Sequence, residues 1–166
     1  MQNLLGLEGP LDDDAWVLLP RDATREHLPP GDVIVPLQLW RTARDALVAR
    51  AGRTGVLICS DESVEELAGQ LDAVAIIALD FPVFSDGRNY SHARILRERL
   101  GYTGGIRAVG DVLRDQIFLM RRCGFDSFAL RPDRSAAAAA SALHDFHHVY
   151  QQATMDPGTP LLTRHD

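Results

Sequence analysis

Short apolar runs alternate with helix-like patterns along most of this chain, and this alternation constrains the fold more than any other feature. Five runs rich in β-branched or aromatic residues are flanked by turn residues, as strands are: residues 33–35, 55–59, 74–79, 106–109 and 127–130. Residues 16–19 have a similar character and end at Pro20, so we expect a short edge strand there.

Between these runs, apolar residues recur at helical spacing, and glycines stand at plausible helix ends. The predicted helices cover residues 40–51, 63–71, 91–100, 112–123 and 135 to about 152. About five βα units predict an α/β fold with an open, mostly parallel sheet flanked by helices. A partial TIM-barrel-like arrangement is the alternative, since five units are too few for a closed eightfold barrel.

The length of 166 residues predicts one domain over residues 1–155. Residues 1–15 are expected to be mobile, and the Pro-, Gly- and Thr-containing tail at 156–166 to be disordered. No apolar stretch reaches the ~18 residues that a membrane span needs, and the N-terminus lacks the pattern of a secretory signal. We therefore expect a cytoplasmic protein without membrane partners, and the two cysteines, Cys59 and Cys123, suit a reducing compartment.

All 17 basic residues are arginines, so the chain has no lysine for Schiff-base chemistry, for a general base or for a Walker-type phosphate loop. Eight of these arginines, with only four acidic residues, lie between Phe84 and Arg122, although the net charge of the chain is -6. Such a locally basic segment in an acidic protein indicates an anionic ligand or an acidic partner surface.

The loop at residues 80–91 follows the third predicted βα-unit strand and is long for such a connection. Ligands of parallel sheets bind at the carboxyl ends of strands, where such loops lie. We expect Ser91 to cap the next helix and Arg88, Arg94 and Arg107 to hold an oxyanion with it. In the alternative interpretation, Arg88 forms an ion pair with Asp86 or Asp111.

Gly110 and Asp111 follow the fourth of these strands, and Gly110 permits an unusual backbone angle. We expect Asp111 to cap the helix that begins at Val112. It is also the candidate catalytic residue, because its carboxylate can accept a proton or orient Arg88 or Arg107. Gln116 falls on an apolar stripe and therefore needs a hydrogen-bond partner.

Six arginines of the predicted helices can form a docking face for a partner protein: Arg94, Arg97, Arg99, Arg114, Arg121 and Arg122. Of these, Arg94 and Arg114 flank the suspected site. Charged helix residues are often only solvated, an interpretation we favour most for Arg97 and Arg99. The isoelectric point near 5.4 and the lack of a nucleic-acid-binding motif argue against nucleic acid as a partner.

His144, His147 and His148 have the i, i+3, i+4 spacing of metal ligands, but no cysteine or carboxylate joins them at a characteristic spacing. We predict no metal site, and no motif indicates a bound cofactor. Cys123 follows two arginines that can lower the pKa of its thiol, yet we favour a structural role because it precedes a helix-ending glycine.

The segment DGRNYSHARILRERLGYTGGIRAVGDVLRDQIFLMRRCGFDSF, at residues 86–128, resembles a bacterial family known as domain of unknown function nine hundred thirty-four. The family pattern is DGR-x-x-S-x-A-R-x-L-R, GY-x-G, R-A-x-GDVL-x-DQ and R-x-GFD-x-F. The match covers about the central third of the chain closely. Gly105 departs from the family, which more often has an acidic residue at that position.

The resemblance implies a role in sulfur assimilation, because family members are described as oxidoreductases involved in sulfite reduction. That description rests on association with a sulfite reductase haemoprotein rather than on an identified catalytic site. We expect an accessory protein that docks on this haemoprotein through its arginines and carries no cofactor of its own. A small enzyme that binds a sulfur oxyanion at the strand-to-helix loops and a non-catalytic structural protein are the alternatives.

Overall fold

Eight strands and four α-helices make up the described part of the chain, which comprises residues 3–144 and 153–154 of a computed structural model. The strands are β1 (Leu4–Gly6), β2 (Gly9–Pro10), β3 (Val17–Leu18), β4 (Val33–Pro36), β5 (Thr54–Ile58), β6 (Ile76–Phe81), β7 (Gly105–Gly110) and β8 (Ser127–Ala129). The α-helices are α1 (Leu37–Val48), α2 (Arg88–Arg94), α3 (Ile117–Cys123) and α4 (Ala136–Ala139). A π-helical turn at Ile95–Arg99 extends α2, and a 3-10 turn at Arg114–Gln116 precedes α3.

The strands form one sheet in the order β2-β1-β8-β7-β6-β5-β4-β3. Strands β3 to β8 are parallel and lie side by side in chain order, whereas β1 is antiparallel to β8 and β2 is antiparallel to β1. Because parallel crossovers are right-handed, connections that always advance in the same direction place their helices on the same face of the sheet.

The connection from β2 to β3 shows that the sheet is strongly curled. Seven inter-strand steps separate these two edge strands, or roughly 34 Å in a flat sheet at about 4.8 Å per step. The chain from Pro10 to Val17 extends at most about 25 Å. The sheet therefore forms a half-barrel, and residues 11–16, which we call the strap, connect its two edges.

The two faces of the sheet have different coverings. Val35, Val56 and Leu79 point to one face and join the main hydrophobic core with buried residues of α1, α2 and α3. The intervening residues Ile34, Leu57, Ile76, Ala78 and Val109 point to the other face, where Trp16 of the strap covers them. We call this second face the concave face, and among the described residues no helix packs on it.

The predicted α/β class is confirmed, and five of the strand-like runs, together with the predicted edge strand, coincide with β3 to β8. The sheet takes the second of the two predicted arrangements, a half-barrel, rather than lying open between two helical layers. The count of about five βα units is only approximate, because six parallel strands are present and the β5–β6 connection contains 3-10 turns in place of the predicted helix 63–71.

Part of the segment 1–15, which we expected to be mobile, forms the strands β1 and β2. Leu4 and Leu5 are buried, and β1 pairs with β8 in the register Leu5↔Phe128. The expected tail at 156–166 and the histidines His147 and His148 lie outside the described residues. Across the part of the chain that is described, no helix is long and apolar enough to cross a membrane, and no cluster of His, Cys, Asp or Glu could hold a metal ion.

Candidate functional site

The carboxyl ends of the parallel strands meet along one edge of the half-barrel, which we call the carboxyl edge. Polar residues from five strand ends lie along it: Arg21 after β3, Ser60 after β5, Asp80 in β6, Asp111 after β7 and Arg131 after β8. The loop at residues 82–87, which we call the edge loop, joins β6 to α2 at the same place. This edge is where ligands of parallel sheets usually bind.

Arg88 begins α2 and forms a bidentate ion pair with Asp86. Its Nε donates to Asp86 Oδ1 at 2.9 Å and its Nη2 donates to Asp86 Oδ2 at 2.6 Å, while Nη2 also reaches Ser60 Oγ at 2.9 Å. The hydrogen bonds from Arg88, and a further one from Ser60, hold the pKa of Asp86 well below its usual range. The Arg88 side chain is nevertheless 58% exposed, so its guanidinium faces solvent beside the Ser60 hydroxyl.

Ser91 does not cap this helix, contrary to the sequence-based expectation. The helix begins three residues earlier, with Gly87 at the N-cap, and the Asp86 carboxylate accepts the Arg88 backbone N–H at 3.2 Å. The Asp86 and Gly87 residues therefore immediately precede the helix and set its start. Ser91 is exposed inside α2, one turn from the edge loop.

Two side chains clamp the backbone of Phe84 in the edge loop. Asp111 Oδ2 accepts the Phe84 N–H at 3.0 Å, and Gln116 Nε2 donates to the Phe84 carbonyl at 2.7 Å. The Val83 and Phe84 side chains remain 51% and 58% exposed, respectively. The loop therefore presents two apolar side chains to solvent while its backbone is held in place.

Asp111 is thus a loop anchor and not the helix cap that the sequence suggested. The next helical turn starts after Leu113, whose backbone N–H donates to Gln116 Oε1 at 3.0 Å, so Gln116 supplies the cap. Gly110 makes the anchor possible: its φ is +93°, and a Cβ there would lie 2.4 Å from the Phe81 carbonyl oxygen. The expectation of an unusual angle at Gly110 is confirmed, and Gln116 has hydrogen-bond partners, although they are not buried as the apolar stripe suggested.

Each arginine of the carboxyl edge is matched by an aspartate. Arg21 is paired with Asp80, Arg88 with Asp86, and Arg131 with the second carboxylate oxygen of Asp111 at 3.2 Å. A cleft of about 530 Å³ opens beside Arg21, and its charged lining residues are Arg21, Arg25, Asp22 and Glu26. The edge therefore has directed N–H donors but little net positive charge.

Arg107 lies away from the carboxyl edge, in the middle of β7 and on the concave face. It is 3% exposed, and its Nη1 and Nη2 donate to the two carboxylate oxygens of Asp14 in the strap at 3.0 and 2.8 Å. Its Nε donates to Ser127 Oγ at 3.2 Å. Because Ala93 and Leu96 of the α2 segment pack on the opposite face, the sheet separates Arg107 from Arg94.

The sequence suggested that Arg97 is a solvated surface residue, but its side chain instead holds the fold together. Its guanidinium donates to the carbonyls of Tyr102, Gly104 and Gly124 at 2.7, 2.8 and 3.1 Å, and to Asp126 Oδ2 at 2.6 Å. Asp126 also accepts the Ile106 N–H at 2.8 Å. Three segments that carry the family resemblance, ARILR, GYTG and GFD, therefore meet at this one side chain.

Three other arginines of the predicted docking face are dispersed over the surface, whereas Arg121 and Arg122 are half-buried. Arg94 is 54% exposed and pairs with Glu98 one turn later, whereas Arg99 pairs with Glu65. Arg114 is exposed at the 3-10 turn that carries Gln116 and donates to Ser141 Oγ at 3.1 Å. Arg114 therefore lies on the same turn as Gln116, which holds the edge loop, whereas Arg94 lies at the far end of α2.

Neither cysteine has the electrostatics of a reactive thiol. Burial raises the pKa of Cys123 even though Arg94 and Arg122 act to lower it. Burial, reinforced by Glu62, raises the pKa of Cys59 to about 11. The nearby arginines do act to lower the pKa of Cys123, but desolvation of the thiolate is the larger effect, so the thiol has no reason to be reactive.

Sequence reasoning missed four residues of these clusters: Arg21, Ser60, Arg131 and Asp14. The rule that selected Asp111 could have found Ser60 and Arg131, since each directly follows a predicted strand. Asp14 had no local signal, because its partner Arg107 is 93 residues away.

The family model that describes bacterial proteins of unknown function (DUF934) matches residues 55–161, so the chain belongs to this family. The matched region includes β5 to β8, the edge loop and the Arg97 cluster, whereas the strap with Asp14 precedes it. A comparison with curated protein sequences finds no match.

Proposed function

We propose that this chain is an accessory protein of assimilatory sulfite reduction that docks on a sulfite reductase haemoprotein. The pathway and the partner come from the family resemblance. The observation that carries the docking role is the edge loop, in which exposed Val83 and Phe84 are held by Asp111 and Gln116. We place the centre of the docking surface at this loop.

The physical argument rests on what an interface requires. Aromatic side chains dominate the energetic centres of interfaces, with charged groups at the rim. Phe84 and Val83 supply such a centre, and Arg88 and Arg114 supply cationic groups beside it. Because the Phe84 backbone is already fixed by two hydrogen bonds, binding would order little additional chain, which lowers the entropic cost of association.

Two valines of equal exposure provide a matched test of the surface. Val83 in the edge loop and Val48 at the end of α1 are both 51% exposed. Val83→Asp should reduce the amount of protein that co-elutes with the sulfite reductase haemoprotein at least tenfold, whereas Val48→Asp should leave this amount unchanged. Absence of association by the parent protein at every salt concentration would show that the docking proposal is wrong, and equal losses from both substitutions would show that the edge loop is not its centre.

The arginines are tested separately, through the association rate. Rim charges act mainly on the association rate, and salt screens them. Arg94→Glu together with Arg114→Glu should abolish co-elution at low ionic strength while circular dichroism stays unchanged. Because Arg114 lies on the turn that holds the edge loop and Arg94 does not, Arg114→Glu alone should account for most of the loss.

A second candidate function, binding of a sulfur oxyanion, is favoured by one observation at the carboxyl edge. The exposed Arg88 guanidinium is fixed by Asp86 next to the Ser60 hydroxyl, so it offers oriented donors to an anion. In this candidate Asp111 is the proton acceptor. Calorimetry with sulfite, sulfate and phosphate tests it: Arg88→Ala should abolish binding, whereas Arg53→Ala, at a 64% exposed arginine paired with Asp32, should not. If the Arg88→Ala variant still shows heat of binding, the anion binds at a different site.

A further inference from the structure

The strap crosses the concave face in an extended conformation and directs alternate side chains into it. Asp14 and Trp16 point inward, since Trp16 is 9% exposed and the Asp14 side chain is 4% exposed. Asp13, which precedes them, and Ala15, which lies between them, are exposed. The Leu11 N–H bonds the Leu4 carbonyl and the Val17 N–H bonds the Asp32 carbonyl. Between those two points, the Asp14 and Trp16 side chains attach the strap to the concave face.

The Asp14 carboxylate sits in a cradle that is built for an oxyanion. Nη1 and Nη2 of Arg107 point in parallel at its two oxygens, at 3.0 and 2.8 Å, which is the bidentate geometry of guanidinium–oxyanion recognition. Ser127 accepts the Nε–H and so fixes the plane of the guanidinium. The neighbouring concave-face residues Ala78 and Val109 are apolar, which keeps water away and strengthens the attraction.

A free anion that makes the same two hydrogen bonds can take the place of the Asp14 carboxylate on Arg107. We propose that Arg107 and Ser127 form an internal binding site for a small oxyanion, and that Asp14 occupies this site until the anion displaces the strap. The ligand class is a carboxylate or a sulfur or phosphorus oxyanion that presents two oxygens to the guanidinium. This site is separate from Arg88 and the edge loop, and the proposal of an internal anion site does not depend on the docking role.

The cradle is tested first by removing its occupant. Full-length Asp14→Ala should bind formate, sulfite or sulfate, each added at constant ionic strength against chloride, with a saturable rise in melting temperature. The affinity should be at least tenfold higher than that of the double variant Asp14→Ala/Arg107→Leu, which lacks the guanidinium. Equal shifts in the two variants would overturn the proposal. Asp32→Ala, which exposes the surface guanidinium of Arg53, controls for non-specific anion effects.

A variant that does not fold still gives a result. If Asp14→Ala is unfolded in chloride, recovery of its circular dichroism spectrum in formate or sulfite supports the cradle, and failure to recover opposes it. Asp14→Asn keeps the size of the side chain and removes the charge, so it should bind the same anions more weakly than Asp14→Ala does, because its amide still competes for the site.

The displacement of the strap is tested in the parent protein. There the anion competes with Asp14, so the apparent affinity should be at least a hundredfold weaker than in Asp14→Ala. At saturating anion, hydrogen exchange of the backbone amides at residues 12–16 should speed up at least tenfold, while exchange in β5 and β6 should not. Unchanged exchange in the strap at concentrations a thousandfold above those that saturate Asp14→Ala would show that Asp14 and Arg107 only hold the fold together.

Discussion

Arg107 and Arg88 form bidentate ion pairs with aspartates through similar hydrogen bonds, yet the two pairs are placed very differently. The Arg107 and Asp14 side chains are each 4% exposed on the concave face, whereas the Arg88 side chain is 58% exposed at the carboxyl edge. A buried charge that loses its partner cannot be rescued by water, but an exposed one can. Burial, more than pairing, therefore separates the arginines that hold the fold from those that are available to a partner.

The strongest test of this contrast is removal of the buried carboxylate. Asp14→Ala should lower the free energy of unfolding by about 3–5 kcal/mol, because it leaves Arg107 charged and unpaired inside the protein. Urea denaturation measures the change. Replacing both partners with apolar residues, as in Asp14→Leu with Arg107→Met, should cost much less. An equal cost for the double variant would mean that shape, and not charge, makes the site critical.

Arg97 extends the same contrast to a partly buried arginine. Its side chain is 12% exposed and donates to three carbonyls and to Asp126, so Arg97→Ala should cost about 1.5–3 kcal/mol. The matched control is Arg99→Ala, two residues later, at a 66% exposed side chain paired with Glu65. That substitution should stay within about 0.5 kcal/mol of the parent protein. Similar costs for both would contradict the role of burial.

The edge loop lies between these extremes, since its anchor is buried only in part. Asp111→Ala should cost about 0.5–1.5 kcal/mol, the usual net value of a hydrogen bond, and Asp111→Asn should recover part of it. Hydrogen exchange of the Phe84 amide should accelerate in the alanine variant. If the amide keeps its protection, Gln116 alone holds the loop and Asp111 is available for another role.

The smallest effect on stability is expected at Arg88, and its signature is a dependence on pH. Hydrogen bonds from Arg88 lower the pKa of Asp86 in the folded state, so this pair stabilises the fold above the ordinary pKa of an aspartate, near 4. The stabilisation is lost as the pH falls through the folded-state pKa. Arg88→Ala should move the pKa of Asp86 back toward its ordinary value in a carboxyl titration followed by NMR, and Arg53→Ala should not. A pKa that stays low without the Arg88 side chain would assign the effect to the Ser60 hydroxyl and the backbone N–H of residue 88.

The sequence predicted the parallel strands and the polar positions at their ends, because both follow from local patterns. Asp111 and Arg88 lie at one edge because each follows a strand of the same parallel sheet, as expected. The helix start at Arg88 was missed because Asp86 bonds the Arg88 N–H, and serine at position 91 looked like an equally good cap. The start of α2 therefore depended on whether Asp86 or Ser91 accepts a backbone N–H of the first helical turn, which the sequence alone did not settle.

The roles of Arg97 and Arg107 depended on contacts that no local pattern contains. Arg97 appeared on a basic helical stretch, but its carbonyl partners come from a loop and from Gly124, whose φ of +109° brings the chain next to the side chain. Arg107 alternates with apolar residues in β7. This alternation predicts the face of the sheet on which its side chain lies, but not the residue with which it forms an ion pair. The curl of the sheet brings the strap to it, and the curl becomes visible only when the strand order is known.

The pairing of β1 with β8 also has a consequence for how the chain folds. Leu4 lies opposite Ala129, so β1 has only the two-residue strand β2 as a neighbour in the sheet until β8, the last described strand, has left the ribosome. Contacts that join distant parts of a chain delay folding, since a large loop must close before they form. A nascent chain that stops after β7 would hold Leu4 and Leu5 without their cover, and would depend on chaperones during the interval.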